Sequence, residues 1–375
     1  MHVVQALVSL GIGGSELVAV ETTEHLCAAG HRVTVLAANG PLASRVTNAG
    51  AKLLAWPVGR KRISTLQYVR RFRAWLLENQ PDIVHVHSRL PAWICFLAIR
   101  KLPAGKRPVF ITSMHGQYSV SSYSAIMARG DHVIAVSKHI RDYTLQYYLP
   151  ADCAHLHTVY GGTSRSAFPF GYRPSETWWN ETQREFPELR GKRILLLPGR
   201  LSRYKGHAVF IELLSILQSD YDDIHGVILG RAKPGSRYIN ELEGLVERYG
   251  VSETLTFTGT RTDVRDWMAA SCLVFNLCSD PPEAFGRTVP EALSLGVPVI
   301  AWDHGGVREI LQEMYPEGAV EADNQVGLLQ KTREFLHHAQ AVKPSDAFSL
   351  KTSMTRTMEL YHAALGSDRA PGEEG

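Results

Sequence analysis

Residues 280–310 read DPPEAFGRTVPEALSLGVPVIAWDHGGVREI, and this stretch decides the fold. Pro290 suits the first turn of a helix, where a missing N–H costs nothing. Ala292, Leu293 and Leu295 give that helix an apolar side to lay on a sheet, and Gly296 can end it. Residues 298–302 are short and apolar, the pattern of a buried strand. Gly305-Gly306 then turns the chain into another helix. Loop, helix, strand, Gly-rich loop and helix in that order make an α/β unit. The first helix leaves backbone N–H groups free around residues 286–289, beside the loop carboxylate of Glu283. That arrangement suits an anion, above all a phosphate. Glu283 and Glu291 alone would also fit an ordinary α/β unit with solvated glutamates.

Working outward, a strand pattern at 193–198 runs into Gly199-Arg200-Leu201-Ser202-Arg203-Tyr204-Lys205-Gly206. A leaving group that gathers negative charge as its bond breaks needs positive charge close by. An Arg fork and a Lys point charge can stabilise that charge without a metal. The plain alternative is a basic loop with no ligand.

The spacing Glu283-x7-Glu291, the following Gly-x-Pro-Val-Ile strand and Gly-Gly loop, and the G-R-L-x-x-x-K-G run resemble the retaining glycosyltransferases of family 4 (glycosyl transferases group 1). The resemblance implies an α/β GT-B fold: two Rossmann-like domains facing across a central cleft. It implies an N-terminal acceptor domain at 1–165 joined by a C-terminal helix at 346–365. A donor domain at 166–345 and a disordered tail at 366–375 complete the expectation. By the same resemblance, Glu291 binds ribose hydroxyls and Glu283 the hydroxyls of the donor sugar. Arg200 and Lys205, with the backbone of Gly286, Arg287 and Thr288, hold the diphosphate. Gly199, Gly230, Arg261 and Phe285 complete the donor site. Gly13 and Gly14 face the donor phosphate and the junction with the acceptor, and His115 stands beside the transferred sugar. The family is held to react by front-face substitution, the leaving phosphate taking the acceptor's proton. Glu283, His115, Arg200 and Lys205 are the residues expected to carry the chemistry. No cofactor and no metal are expected beyond the nucleotide-sugar co-substrate, for which a UDP-sugar is the commonest choice in the family.

In the first half, residues 3–10 form an apolar strand, and Gly11-Ile12-Gly13-Gly14-Ser15-Glu16 opens a helix to about 29. Residues 31–37 are the next strand. A nicotinamide enzyme would end that strand on Asp or Glu for the ribose. Here it ends Leu36-Ala37-Ala38-Asn39, which counts against one. Leu66, Val69, Phe72 and Leu76 recur at helical spacing and read as the buried side of a helix. His85 and His87, two apart on a strand, share a face. They lack a third metal ligand and read as buried or cleft-edge histidines. His115 ends the strand at 109–116, the end at which open α/β sheets bind ligands. Residues 164–190 read as an irregular interdomain linker. Where the family commonly has Asn-Gly-Val-Asp, this chain has Tyr160-Gly161-Gly162-Thr163. One D-x-D, Asp220-Tyr221-Asp222, reads as a solvated loop and not as a metal site.

At 375 residues, 45% hydrophobic and 21% charged, the chain has room for two ordinary cores. No apolar run reaches the ~18 residues of a membrane span, and the apolar start reads as a strand, not a signal peptide. Five scattered cysteines without C-x-x-C suit a reducing cytosol. The net charge of +3 conceals an asymmetry: 18 Lys and Arg against 8 Asp and Glu in residues 1–165, and 22 against 29 in the rest. The basic half calls for an anionic partner. Its densest part is Arg60, Lys61 and Arg62 with Arg70, Arg71 and Arg73; aromatic neighbours Trp56, Tyr68 and Trp75 could sit at a headgroup interface. A solvated crossover helix is the plain reading. Peripheral contact with an anionic membrane, on its cytoplasmic face, is the functional one. Nucleic acid is not expected as a partner. The expected acceptor is a glycolipid or saccharide, as in lipopolysaccharide core synthesis. The alternatives are a soluble small acceptor, a nucleotide-sugar epimerase of the same fold, and a non-catalytic binding scaffold.

Overall fold

The computed structural model describes residues 1–150, 153–232, 235–338 and 340–367, and the chain divides into two compact units. The first comprises residues 1–161 and those from Lys351 onward. Its elements are β1 (His2–Ser9), α1 (Gly14–Ala28), β2 (Arg32–Ala38), α2 (Ala43–Asn48), β3 (Lys52–Ala55), α3 (Gln67–Asn79), β4 (Ile83–Val86), α4 (Arg89–Ile99), β5 (Val109–Met114), β6 (His132–Ala135), α5 (Lys138–Tyr147) and β7 (Leu156–Thr158). All strands are parallel, in the order β3-β2-β1-β4-β5-β6-β7.

The second unit, Gly162–Leu350, holds α6 (Glu176–Glu185), β8 (Arg193–Pro198), α7 (His207–Leu217), β9 (Ile224–Leu229), α8 (Tyr238–Tyr249), β10 (Leu255–Gly259), α9 (Val264–Ala270), β11 (Leu273–Asn276), α10 (Thr288–Leu295), β12 (Val299–Trp302), α11 (Gly305–Met314), β13 (Ala319–Val320) and α12 (Gln325–His337). Its parallel order is β10-β9-β8-β11-β12-β13. The last helix, α13 (Leu350–Ser367), packs Leu360, Tyr361 and Ala364 into the core of the first unit, against residues of β1, β4 and β5.

Both sheets follow the Rossmann order 3-2-1-4-5, so each has one point where the winding reverses: between β1 and β4, and between β8 and β11. A sheet covered on both faces buries every residue of its central strands, which accounts for runs such as Ile194-Leu195-Leu196-Leu197.

Several expectations meet a different structure. Residues 164–190 are not wholly irregular: Ser175 caps α6 by accepting from the Trp178 N–H at 3.1 Å, and Trp178 packs on the buried Trp267. The chain leaves the first unit at Gly161/Gly162 and returns at Leu350/Lys351. In the second unit the two passes lie side by side. The Thr163 N–H donates to Phe348 O and the Leu350 N–H to Thr163 O, both at 2.9 Å. A side chain at Gly162 would come within 2.5 Å of Leu350 Cα, which accounts for that glycine. Gly366 and Ser367 belong to α13, and residues 368–375 of the expected tail lie outside the described residues. Leu66 is 54% exposed because a 3-10 turn at Ile63–Leu66 changes the phase before α3 begins. Phe72, Trp75 and Leu76 form the buried side, so Trp75 is core and not interfacial.

Candidate active site

The loop after β8 and the loop after β11 flank the reversal point of the second sheet, where ligands of open α/β sheets bind. Gly206, at φ +78°, lets the first loop pass so close to Leu277 that a Cβ would strike the Leu277 carbonyl. That approach brings Lys205 to Glu283: the ammonium donates to Glu283 Oε1, and each side chain is only 20% exposed. Burial works against the Lys205 charge. The Glu283 carboxylate outweighs it by charge and hydrogen bond, and the lysine pKa lies above its ordinary value. His207, wholly buried at the start of α7, is pulled down to about 4 by burial and adds no charge here.

The Glu283 loop rests on the start of α11. The Gly306 N–H donates to Glu283 O at 2.8 Å, and a Cβ on Gly306 would strike the Ala284 carbonyl. This close approach is what the Gly305-Gly306 pair serves. Beyond it, α10 begins at Thr288, whose hydroxyl accepts from Asn276 Nδ2 at 3.2 Å. Pro290 lies in its first turn and Gly296 closes it at φ +85°. In the first turn of α10 the Val289 N–H, expected to be free, donates to Gly286 O at 3.0 Å, the Glu291 N–H donates to Arg287 O at 3.1 Å, and Pro290 has no N–H; the helix dipole still favours an anion at this end. Glu291, in the same turn, is buried and ion-paired with Arg287 at 3.2 Å. Lys205, Glu283, Gly286, Arg287, Thr288 and Glu291 thus come from two adjoining loops and one helix start. The lysine and the helix N-terminus together can neutralise a diphosphate, and the two carboxylates can accept from hydroxyl groups.

Other expected residues are placed differently. Arg200 is exposed, its guanidinium donating to Tyr204 Oη at 3.0 Å. Gly199 and Gly230 touch through their backbones, which leaves no room for a Cβ on Gly230. Arg261 is held by Asp263 at 3.0 Å and Glu185 at 2.9 Å, so its side chain ties α6 to the start of α9. The resemblance gives this turn a role through its backbone groups, which the side-chain contacts leave unaffected. Phe285 is 6% exposed and packs edge-on against Phe348, a core role. Asp220 of the D-x-D pairs with Arg333 at 2.5 Å, and Asp222 O accepts from Lys192. Among the described residues no group of three or more His, Cys, Asp or Glu is arranged to hold a metal ion. Lys233 and Pro234, shortly after Gly230, lie outside the described residues.

In the first unit, Gly13 caps α1 and Gly14 is its first residue; a Cβ on Gly13 would strike the Glu16 carboxylate. His115 follows β5 and hydrogen-bonds His87 at 2.9 Å. His85, in β4, lies within a polar cluster with Tyr361 and Ser113. Burial pulls His85 down to about 3 and His115 to about 4, so neither is charged at neutral pH. Sequence reading missed Gln5, Tyr361, Asn276 and Glu16. Gln5 left one signal: it is the lone polar residue inside the apolar run of β1.

Residues 12–166 match the domain described as Glycosyltransferase Family 4, and residues 180–346 match Glycosyl transferases group 1. The chain belongs to glycosyltransferase family 4. Spore coat protein SA of Bacillus subtilis (strain 168) is 27% identical over 321 residues, 80% of this chain and 79% of that protein. Phosphatidyl-myo-inositol mannosyltransferase of Mycobacterium leprae (strain TN) is 24% identical over 372 residues, 95% of each. Anabaena HepE, solved in complex with UDP-glucose, superposes with a TM-score of 0.80 at 19% identity, over 97% of this chain and all of that one. At that identity the likeness is one of fold, the GT-B arrangement of two Rossmann-like units. In this family 4 glycosyltransferase, the loops that follow β8 and β11 therefore lie in the group 1 domain.

Proposed function

We propose that this glycosyltransferase moves a sugar from a UDP-sugar to a hydroxyl group of a membrane glycolipid, with retention at the anomeric carbon and without a metal. Lipopolysaccharide core is one acceptor of that chemistry. The observation that carries the reading is the partly buried Lys205–Glu283 pair at the sheet reversal, beside the N-terminus of α10. On UDP-sugar binding, Lys205, Arg200 and the backbone of residues 286–288 would meet the diphosphate. Glu291 would accept from the ribose hydroxyls and Glu283 from those of the sugar. The C1–O bond to the β-phosphate breaks while an acceptor oxygen forms a bond to C1 on the same face. The acceptor's proton passes to the leaving diphosphate. The basic groups would stabilise the charge that grows there. UDP as the nucleotide accords with the ligand in the HepE structure, and a glycolipid acceptor with the name of the mycobacterial relative.

The membrane contact is assigned to the segment before α3. Arg60, Lys61 and Arg62 are exposed, and the side chains after them, Ile63 at 89% and Leu66 at 54%, are exposed and apolar. Basic residues around projecting apolar ones suit an anionic headgroup layer. Arg71 stacks on Trp56 at 4.2 Å, and Trp56 on Tyr68, which stiffens the adjoining surface. No described helix is long and apolar enough to cross a membrane.

The test is incubation with a panel of nucleotide sugars, with and without lipid extract and with excess chelator. Nucleoside diphosphate release and lipid mass are followed. UDP release that depends on lipid and survives chelator is expected. Interconversion of the nucleotide sugar without acceptor would make the protein an epimerase. Dependence on added Mn²⁺ or Mg²⁺ would reject the metal-free scheme.

A further inference from the structure

Six side chains in the first unit form one continuous hydrogen-bonded line that begins at His115 and ends at Ser113. His115 Nε2 lies 2.9 Å from His87 Nδ1, and His87 Nε2 lies 2.6 Å from Gln5 Oε1. Gln5 Nε2 donates to Tyr361 Oη at 3.1 Å, and Tyr361 Oη lies 2.7 Å from His85 Nδ1. His85 Nε2 reaches Ser113 Oγ at 2.7 Å. Gln5 and Tyr361 are fully buried, and His85, His87 and Ser113 are at most 2% exposed. The line joins β1, β4 and β5 to α13 across 356 residues of sequence.

Donor and acceptor counting gives the line a direction. The Gln5 carbonyl can only accept, so His87 carries its hydrogen on Nε2. Burial holds the pKa of His87 well below its ordinary value, so the ring is neutral and its Nδ1 is an acceptor. The hydrogen between His87 and His115 must then come from His115 Nε2. On the other side, Tyr361 accepts from the Gln5 amide, so its own hydrogen goes to His85 Nδ1. His85 then donates from Nε2 to Ser113. Every buried polar atom along the line is paired in this one sense. His115 joins the line through Nε2, and its Nδ1 takes no part in it.

We infer that Gln5, His87 and Tyr361 are positioning residues that fix His115 in its Nε2–H tautomer, leaving Nδ1 to accept from a hydroxyl of the sugar or the acceptor. This rests on the proposed sugar transfer and on the expectation, from the family resemblance, that His115 stands beside the transferred sugar. His115 thereby orients a hydroxyl and takes no proton, in keeping with a leaving phosphate that accepts it.

The test labels the histidines with ¹⁵N in the full-length protein without substrate and assigns His115 by its absence in His115→Gln. Long-range ¹H–¹⁵N spectra should show His115 and His87 both as Nε2–H tautomers. An Nδ1–H signal for His115 would overturn the inference, because the line would then run the other way. Tyr361→Phe keeps the ring and removes the link between Gln5 and His85. It should lower kcat about tenfold with donor KM within twofold, and should give His115 a mixed tautomer signal. A pure Nε2–H signal with unchanged kcat in Tyr361→Phe would also overturn it. The wild-type spectrum decides the matter even if that variant folds poorly. The tautomer is read without turnover, so a protein that transfers no sugar refutes the function while the relay stands. Normal transfer with the Nδ1–H form refutes the relay alone.

Discussion

Lys205 and Glu283 are each other's partner in the ligand-free protein, and that makes a two-sided prediction about UDP. Glu283→Gln removes a negative charge held against the lysine, with both side chains four-fifths buried. If the UDP β-phosphate sits on Lys205, the lost carboxylate stood about 6 Å from it. At an effective dielectric constant of roughly 40–80, the relief of repulsion is about 0.7–1.4 kcal/mol per phosphate charge. Glu283→Gln should therefore bind UDP about 3- to 10-fold more tightly than the parent. Its turnover should fall about 10²-fold, because the carboxylate that accepts from the sugar is gone. Lys205→Met keeps the aliphatic stem and removes the charge. It should weaken UDP and lower kcat by about 10²–10³, the usual cost of losing one group that stabilises a developing anion. Titration calorimetry with UDP on the parent and both variants measures the two signs directly. If Glu283→Gln weakens UDP binding, or Lys205→Met leaves UDP affinity and turnover within threefold, the lysine does not face the diphosphate.

Other consequences can be checked separately. Gly206→Ala places a Cβ against the Leu277 carbonyl at a φ of +78°; it should cost about 2 kcal/mol or more, read as a lowered urea midpoint, and reduce donor binding. His85 is held at about 3 and His225 at about 4 in the folded protein, chiefly by burial, against an ordinary 6.5. Below pH 6.5 the unfolded chain takes up protons that the folded one cannot, so stability should fall as pH drops from 6.5 toward 4. The loss is up to about 1.4 kcal/mol per pH unit for each such histidine, and a urea midpoint equal at pH 7 and pH 5 would contradict it. Reversing Arg60, Lys61, Arg70 and Arg71 to Glu should abolish sedimentation with anionic vesicles while slow donor hydrolysis persists; vesicle binding by the parent should weaken steeply with salt.

Much of the second unit was legible because its signals are local. Pro290 and Gly296 bracket α10 within one turn of each end, and the apolar run of β8 is bounded by Arg193 and Gly199. The Lys205–Glu283 meeting could be expected only through the resemblance, since 78 residues separate the two and Gly206 makes the approach. Side-chain fate was less legible than backbone position. The resemblance gives the turn at Arg261 a role through its backbone, and the fate of its side chain was not legible: Asp263 and Glu185 engage it, and Glu185 comes from α6, within the stretch that reads as linker. Phe285 lies in the loop that carries Glu283, and its ring belongs to the core. The helical spacing that starts at Leu66 does not hold there, because the 3-10 turn that contains it has three residues per turn, not 3.6. The line through Gln5, His87 and Tyr361 was out of reach: no local pattern links a glutamine in the first strand to a tyrosine in the last helix.

The most direct measurement is a crystal structure with UDP bound. The β-phosphate should lie on the backbone N–H groups of residues 286–288 with Lys205 Nζ within hydrogen-bond distance, and Glu291 should accept from the ribose hydroxyls. UDP bound away from the loops after β8 and β11, or held by neither Lys205 nor Glu291, would contradict the assignment of the donor site.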